Sequence, residues 1–378
     1  MLTRRSALTG LAIAPLFAST VARAAEKYDA RLSVDGKSKD SVPAFATLAE
    51  AIAAAPADGS KPYRILIPAG DWRMRALVDK PNVHLIGEGT DKSRIVFNNK
   101  QGDEQPDPFK PYGCSTVVVI APGFAAKDLH LDNDYDWVGA PIGPRTGQNG
   151  SSGRQADALR LAKGSDKAYF ENVRMTAWQD TLWTDQGRSL FRNCEITGCV
   201  DFIYGAGQAV FEKCTIVSRV GRVGGEDGKP ETPGLKSFIT APSTQKTDVY
   251  GLVFFDCRLT KEPGVAVGSV ALGRPWKPTK PTADGGRHYD VDAVGQAVFL
   301  RCWMDDHVTR EAWTEMGGKV NDTVEMIQPE VARFFEYKSS GPGAGPASTR
   351  RRLLSDADAA AFTPEKVLAG WDIAKLSV

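Results

Sequence analysis

The stretch FENVRMTAWQDTLWTDQGRSLFRNCEITGCVDFIYGAGQAVFEKCTI, residues 170 to 216, carries one short phrase three times. Phe170, Val173 and Met175 recur as Phe191, Cys194 and Ile196, and then as Phe211, Cys214 and Ile216. The phrase returns as Phe254, Cys257 and Leu259 and as Phe299, Cys302 and Met304. Successive third-column residues lie 21, 20, 43 and 45 positions apart. The period is therefore about 20 to 23 if each larger step is two coils, or one coil with a long loop. Such a period fits a parallel β-helix, in which the inward side chains of one turn stack on those of the next. Leucine-rich repeats share the period but need a leucine scaffold that this chain lacks.

Outward from the repeats, short β-prone pieces are separated by Gly, Asn and Asp, among them NVHLIGEG (82–89), STVVVIAPG (115–123) and FLRCWMDD (299–306). No helices of 10 to 15 residues alternate with them, which argues against a doubly wound α/β domain. Upstream, Phe45, Leu48, Ala49 and Ile52 repeat at helical spacing until Pro56 and Gly59 stop them, and the extended run RILIPAG (64–70) follows. Downstream, SDADAAAFTPEKVLAGWD (355–372) has helix-start signals at Ser355 and at Thr363, with Pro364 in the first helical position. This C-terminal helical segment is expected to cover part of the coil stack. Gly, Pro and Lys content between Pro263 and Asp290 predicts long loops that wall a cleft.

Residues 1–24 are set apart. Arg4 and Arg5 precede an apolar run from Ala7 to Ala18 and the small-residue pattern Ala22, Arg23, Ala24, the layout of an export signal. The paired arginines suggest a twin-arginine route, with the Sec route open. A bacterial periplasmic or secreted protein is expected, with residues 25–378 forming a single catalytic domain that acts as a monomer. No later run approaches the 18 apolar residues of a membrane span. Without Arg4, Arg5 and Arg23 the chain has 44 basic against 46 acidic residues. That balance gives no electrostatic case for nucleic acid, whose binding rests on phosphate neutralisation.

The repeat also relates two carboxylates. Asp180 lies seven residues after Val173, and Asp201 seven after Cys194. Coils in register put them on the same rung position one strand apart, about 4.8 Å. Two carboxylates so close titrate as a coupled pair, one keeping its proton to higher pH, which offers an acid beside a nucleophile or base. Two unrelated solvated loop aspartates are the plainer alternative. Trp178, Trp183, Phe202 and Tyr204 flank the pair and favour a sugar-binding cleft.

Other chemistries find less support. His84, His130, His288 and His307 sit beside no nucleophile motif, the chain has no G-x-S-x-G elbow, and no His-rich metal cluster is visible. Cys194, Cys214, Cys257 and Cys302 occupy the inward column, where a thiol behaves as a small hydrophobe. An oxidising compartment would permit a disulfide, most plausibly Cys194 with Cys214. Cys114 and Cys199 lack a visible partner.

Five segments in order, GRQADALRL (153–161), AWQDTLW (177–183), GCVDFIYGAGQAVFEKC (198–214), LGRPW (272–276) and FFEYKSSGPGA (334–344), resemble the pectin methylesterases over most of the chain. The resemblance implies an all-β, single-stranded right-handed parallel β-helix that hydrolyses the methyl esters of pectin or oligogalacturonate without cofactor or metal. By position, Asp201 resembles the nucleophile and Asp180 the general acid and then base. Gln179 and Gln155 resemble the oxyanion stabilisers, and Arg274 the guanidinium that orients Asp201 and keeps it ionised. Trp276, Trp183, Tyr204, Thr116 and Val200 match substrate-contacting positions. The chain departs from the pattern at Asp157, where an apolar residue is usual, at Tyr204, usually phenylalanine, and at Cys199, usually threonine or a similar small residue. GDWRMR (70–75) lacks the glutamate of the usual G-x-Y-x-E segment.

Three rivals stay open. Two carboxylates about 5 Å apart also suit a retaining glycosidase. A non-catalytic polysaccharide-binding protein would keep the coil and lose a catalytic group. A β-helix esterase or thioesterase for another ester is the third, with Asp157 its only motive. A calcium-dependent lyase would need an acidic nest that the spacing does not supply.

Overall fold

The computed structural model describes residues 28–38, 40–139, 153–220, 237–283, 285–320 and 323–376. The export-signal segment 1–24 lies outside them. Among the described residues, strands form parallel sheets of 17 and 7 strands and two small antiparallel hairpins. The chain is a right-handed parallel β-helix, as the repeat and the resemblance predict.

Each central coil crosses the larger sheet twice and the smaller sheet once. The larger sheet bends where one residue per coil takes a positive φ: Asn172 at 51°, Asn193 at 53°, Lys213 at 54°, Asp256 at 54° and Arg301 at 53°. That left-handed step turns the backbone, so the next residue, Val173, Cys194, Cys214, Cys257 or Cys302, points inward and is buried. Phe170, Phe191, Phe211, Phe254 and Phe299 stack face to face with centroids 4.6, 4.8, 4.3 and 4.3 Å apart. Each fully buried ring contributes about 1.5–3 kcal/mol of apolar transfer. Phe254 pairs directly with Phe211, and Phe299 with Phe254. The steps of 43 and 45 residues are thus single coils with long loops.

The six cysteines are all buried and free, so Cys194 and Cys214 are stacked thiols and not a disulfide. Their S–H groups turn to carbonyls, Cys214 Sγ lying 3.3 Å from the Phe191 oxygen.

Helices close the structure. Leu48–Ala53 starts at Thr47 with a reciprocal capping box to Glu50 and buries Leu48, Ala51 and Ile52 against the first coil. Phe45, expected in that helix, lies in a short strand (Ala44–Phe45) paired with Ala30–Leu32. Asp356–Ala359 and Pro364–Val367 begin at the caps Ser355 and Thr363. They pack Ala359, Val367 and Leu368 on the outward column of Tyr169, Leu190, Val210, Val253 and Val298. Between Pro263 and Asp290 the expected loops are interrupted by the strand Val270–Gly273 and by a hairpin, Thr279–Pro281 with Arg287–Tyr289.

Candidate active site

The site lies on the outer face of the seven-stranded sheet, across consecutive coils. Leu159 pairs with Leu182 and Leu182 with Ile203, while Gln179 bridges Val200. The same offsets align Asp157, Asp180 and Asp201 in one column, each about 4.8 Å from the next. The sequence spacing anticipates the 180–201 step. The third member, Asp157, enters because Ala158 N–H donates to the Thr181 carbonyl at 2.9 Å and holds the preceding coil in the same register.

Asp180 and Asp201 have positive φ, 68° and 50°. Aspartate tolerates this region better than most residues, and the turn re-aims each carboxylate away from the regular pleat. At Asp201 the pairing with the next strand slips between Val200 and Ile203, a local bulge.

Arg274 enters from two coils further on. Its strand ends at Gly273, which pairs with Thr240, and a Cβ there would meet Thr240 Oγ1 at 2.1 Å. Only glycine permits this approach. Arg274 N–H then donates to the Thr240 carbonyl at 3.0 Å, and the guanidinium lies 3.8 Å over the Phe238 ring. From there it grips Asp201 with both arms, Nε to Oδ1 at 2.8 Å and Nη2 to Oδ2 at 2.6 Å. Burial opposes the guanidinium charge, but Asp201 outweighs it and the Arg274 pKa lies above its ordinary value.

Asp180 has no such cation of its own. Burial, then the neighbouring Asp157 and Asp201, hold its pKa well above the usual carboxylate range, against Arg274 and the Gln179 amide. Asp157 is buried, and three donors converge on it: Tyr204 Oη at 2.7 Å on Oδ1, and Ser115 Oγ at 3.1 Å and Cys114 Sγ at 3.2 Å on Oδ2. Burial raises its pKa while those bonds pull it back.

Gln155 and Gln179 lie on adjacent coils, joined by Ala156 N–H donating to the Gln179 carbonyl at 3.2 Å. Both are half-buried, and Gln155 Oε1 has no partner. Two side-chain amides next to the carboxylate column could donate to an oxyanion.

Aromatic rings floor the cleft. Trp183 stacks on Tyr204 at 5.1 Å, and Trp276 meets both edge-on, at 6.5 and 5.5 Å. Arg160, which the sequence reading passed over, lies 3.6 Å over Trp183. Beyond them an open cavity of about 650 Å³ runs past Asp185, Gln186, Gln245 and Lys280. On another side Trp137 and Trp178 stack at 5.8 Å between the guanidinium groups of Arg154 and Arg219. These arginines carry no sequence signal, because they reach the rings through register and not through neighbourhood in the chain.

Two expectations need correction. Thr116 is fully buried and its hydroxyl donates to the Asp132 carbonyl at 2.8 Å, so its side chain offers no surface to a substrate. Tyr204 is also buried: its ring is packed by Trp183 and Trp276 and its hydroxyl is committed to Asp157. Val200 is half-buried at the start of the Asp201 strand. His84, His130 and His307 stand apart, their pKa values pushed down to about 4 by burial. Among the described residues no group of three or more His, Cys, Asp or Glu is arranged to hold a metal ion.

Comparison with known proteins agrees with this architecture. A family profile described as Pectinesterase matches residues 35–371. Pectinesterase A of Dickeya dadantii (strain 3937) is 40% identical over 96% of both chains. A pectin methylesterase solved in complex with a hexasaccharide superposes with a TM-score of 0.81 at 38% identity, covering 92% of this chain and 98% of that one. The pectin methylesterase of Yersinia enterocolitica gives a TM-score of 0.77 at 39% identity, over 87% and 100%.

Proposed function

The chain belongs to the pectinesterase family and is a carboxylic ester hydrolase, and on that premise we propose that it cleaves methyl esters of polygalacturonan with Asp201 as nucleophile and Asp180 as acid and base. Asp201 attacks the ester carbonyl while Arg274 holds its carboxylate in a fixed plane. The amides of Gln155 and Gln179 donate to the developing oxyanion. As the tetrahedral adduct collapses, the C–O bond to the methoxy group breaks and Asp180 passes its proton to the leaving oxygen, releasing methanol and an acyl-Asp201 anhydride. Asp180, now a carboxylate, takes a proton from water as that water attacks the acyl carbon. Collapse frees Asp201 as a carboxylate and leaves the galacturonic acid, which loses its proton to solvent, with Asp180 again protonated.

The observation that carries this reading is the contrast between two carboxylates one rung apart. Asp201 is gripped by a guanidinium, whereas Asp180 is half-buried between like charges that favour its protonated form. Trp183 and Trp276 supply flat faces for sugar rings, with Tyr204 packed behind them. The substrate is proposed as methyl-esterified pectin or its oligogalacturonates, bound by a monomer. The segment 1–24 supports export from a bacterial cell, and among the described residues no helix is long and apolar enough to cross a membrane.

Methanol release from highly methylated pectin tests the reading, with reducing ends counted in the same tubes. Asp201→Asn and Asp180→Asn are the cleaner variants, because asparagine tolerates positive φ and alanine adds strain of about 1–2 kcal/mol. Methanol lost in both, with no new reducing ends, is expected. Reducing ends without methanol would sink the esterase in favour of glycosidic cleavage, and neither product from folded protein would point to another ester.

A further inference from the structure

Two of the chain's departures from the family pattern, Asp157 and Tyr204, are bonded to each other across two coils, Tyr204 Oη donating to Asp157 Oδ1 at 2.7 Å. Ser115 and Cys114, from the coil on the other side, close on the second oxygen. A carboxylate that receives three donors has its negative form solvated by the protein and its orientation fixed. It stands one rung before Asp180, on the side opposite Asp201.

We propose that Asp157, clamped by Tyr204, Ser115 and Cys114, is a positioning residue that holds Asp180 in its proton-donating state for departure of the alcohol. The inference rests on the assignment of Asp180 as the acid. Asp180 is faced by Asp157 from the preceding coil, by Asp201 and Tyr204 from the following one, and by Arg274 beyond it. Cys114 also approaches through Asp157, and Gln179 is its chain neighbour. Around Asp157 the further charges are Arg160 and Arg75. Arg274 is bound to Asp201 and offsets the neighbouring carboxylates only in part, so the charge of Asp157 still favours a proton on Asp180. Of the two flanking carboxylates, Asp157 raises the proton affinity of Asp180 more. The clamp also explains why a buried carboxylate is tolerated in a floor otherwise built of rings, since its lone pairs are met.

The dependence of kcat/KM on pH separates this role from mere packing. The acid form of Asp180 is required, so activity falls as pH rises through its pKa. Asp157→Asn removes the charge at nearly constant shape and is expected to move that alkaline limb down by about one unit. Tyr204→Phe and Ser115→Ala each remove one donor, make Asp157 compete better for the proton, and should move the limb the same way by less. Titration of Asp180 by carbon-13 NMR of labelled aspartate, its signal assigned by loss in Asp180→Asn, should shift in step. Rates lowered equally at every pH, with limb and NMR titration unmoved in folded Tyr204→Phe and Ser115→Ala, would overturn the proposal even if Asp157→Asn failed to fold. Full methanol release by Asp180→Asn would instead overturn the underlying assignment. The NMR titration still tests the coupling if pectin proves not to be the substrate.

Discussion

Arg274 and Asp201, 73 residues apart in the chain, meet as a two-pronged ion pair at 2.8 and 2.6 Å. The guanidinium is braced by a ring at its face and a backbone bond at its root. Arg274→Lys keeps the charge and loses the planar fork. Methanol release is expected to fall about a hundredfold, the cost of an ångström-scale misplacement of the attacking group, with circular dichroism unchanged. Near-normal kcat would mean that charge alone suffices.

The approach that brings Arg274 to its partner depends on Gly273. Gly273→Ala puts a methyl 2.1 Å from Thr240 Oγ1 and 2.8 Å from its carbonyl oxygen, so the strand must shift. Stability should drop by about 1–3 kcal/mol. Activity should drop further than that loss explains, because Arg274 follows immediately. Urea denaturation beside initial rates checks both.

Asp180 has a price in stability. Its folded pKa lies above the unfolded value, so the folded state holds a proton that the unfolded state releases. Stability from this group is complete below about pH 4 and is lost as pH rises through the folded pKa. Asp180→Asn should therefore raise the melting temperature by a few degrees at neutral pH and by little at pH 4. Equal melting curves at both pH values would contradict the burial-driven shift.

The ring column invites a packing test. Phe211 sits 4.8 Å from Phe191 and 4.3 Å from Phe254, fully buried. Phe211→Ala is expected to cost about 3–5 kcal/mol in chemical denaturation, since a cavity between stacked coils closes poorly. A cost below 1 kcal/mol would show that the neighbouring coils collapse into the gap.

The six buried thiols make a simple prediction. Ellman's reagent should find none accessible in the native protein and six after denaturation without reductant. Four after denaturation would reveal one disulfide.

The repeats were readable because stacking demands the same residue type on successive rungs, and Phe and Cys recur visibly. The ends of the column were not. Ala126 holds the rung paired with Phe170, and Glu336 the rung paired with Phe299, where it accepts from buried Arg351 at 2.9 Å. The Asp180 and Asp201 alignment was legible, since both follow a repeat at equal distance. Asp157 was visible as a stray carboxylate, but its place in the column was hidden by the irregular coil before it. No spacing rule joins Tyr204 to it, because the hydroxyl crosses two coils. The burial of Thr116 was not legible, because a match of position just before the strand Val117–Val119 does not say that the hydroxyl turns inward to the Asp132 carbonyl.

The coils of 43 and 45 residues advance the wall by one rung, as do coils of 20 and 21. Register here is counted in turns and is indifferent to the length of chain within each turn. Excursions between strands can be lengthened, trimmed or exchanged while every side chain in the carboxylate column keeps its address. The rim of the cleft is thus free to diversify under selection for different polymers, over a reactive centre that inherits its spacing from the backbone.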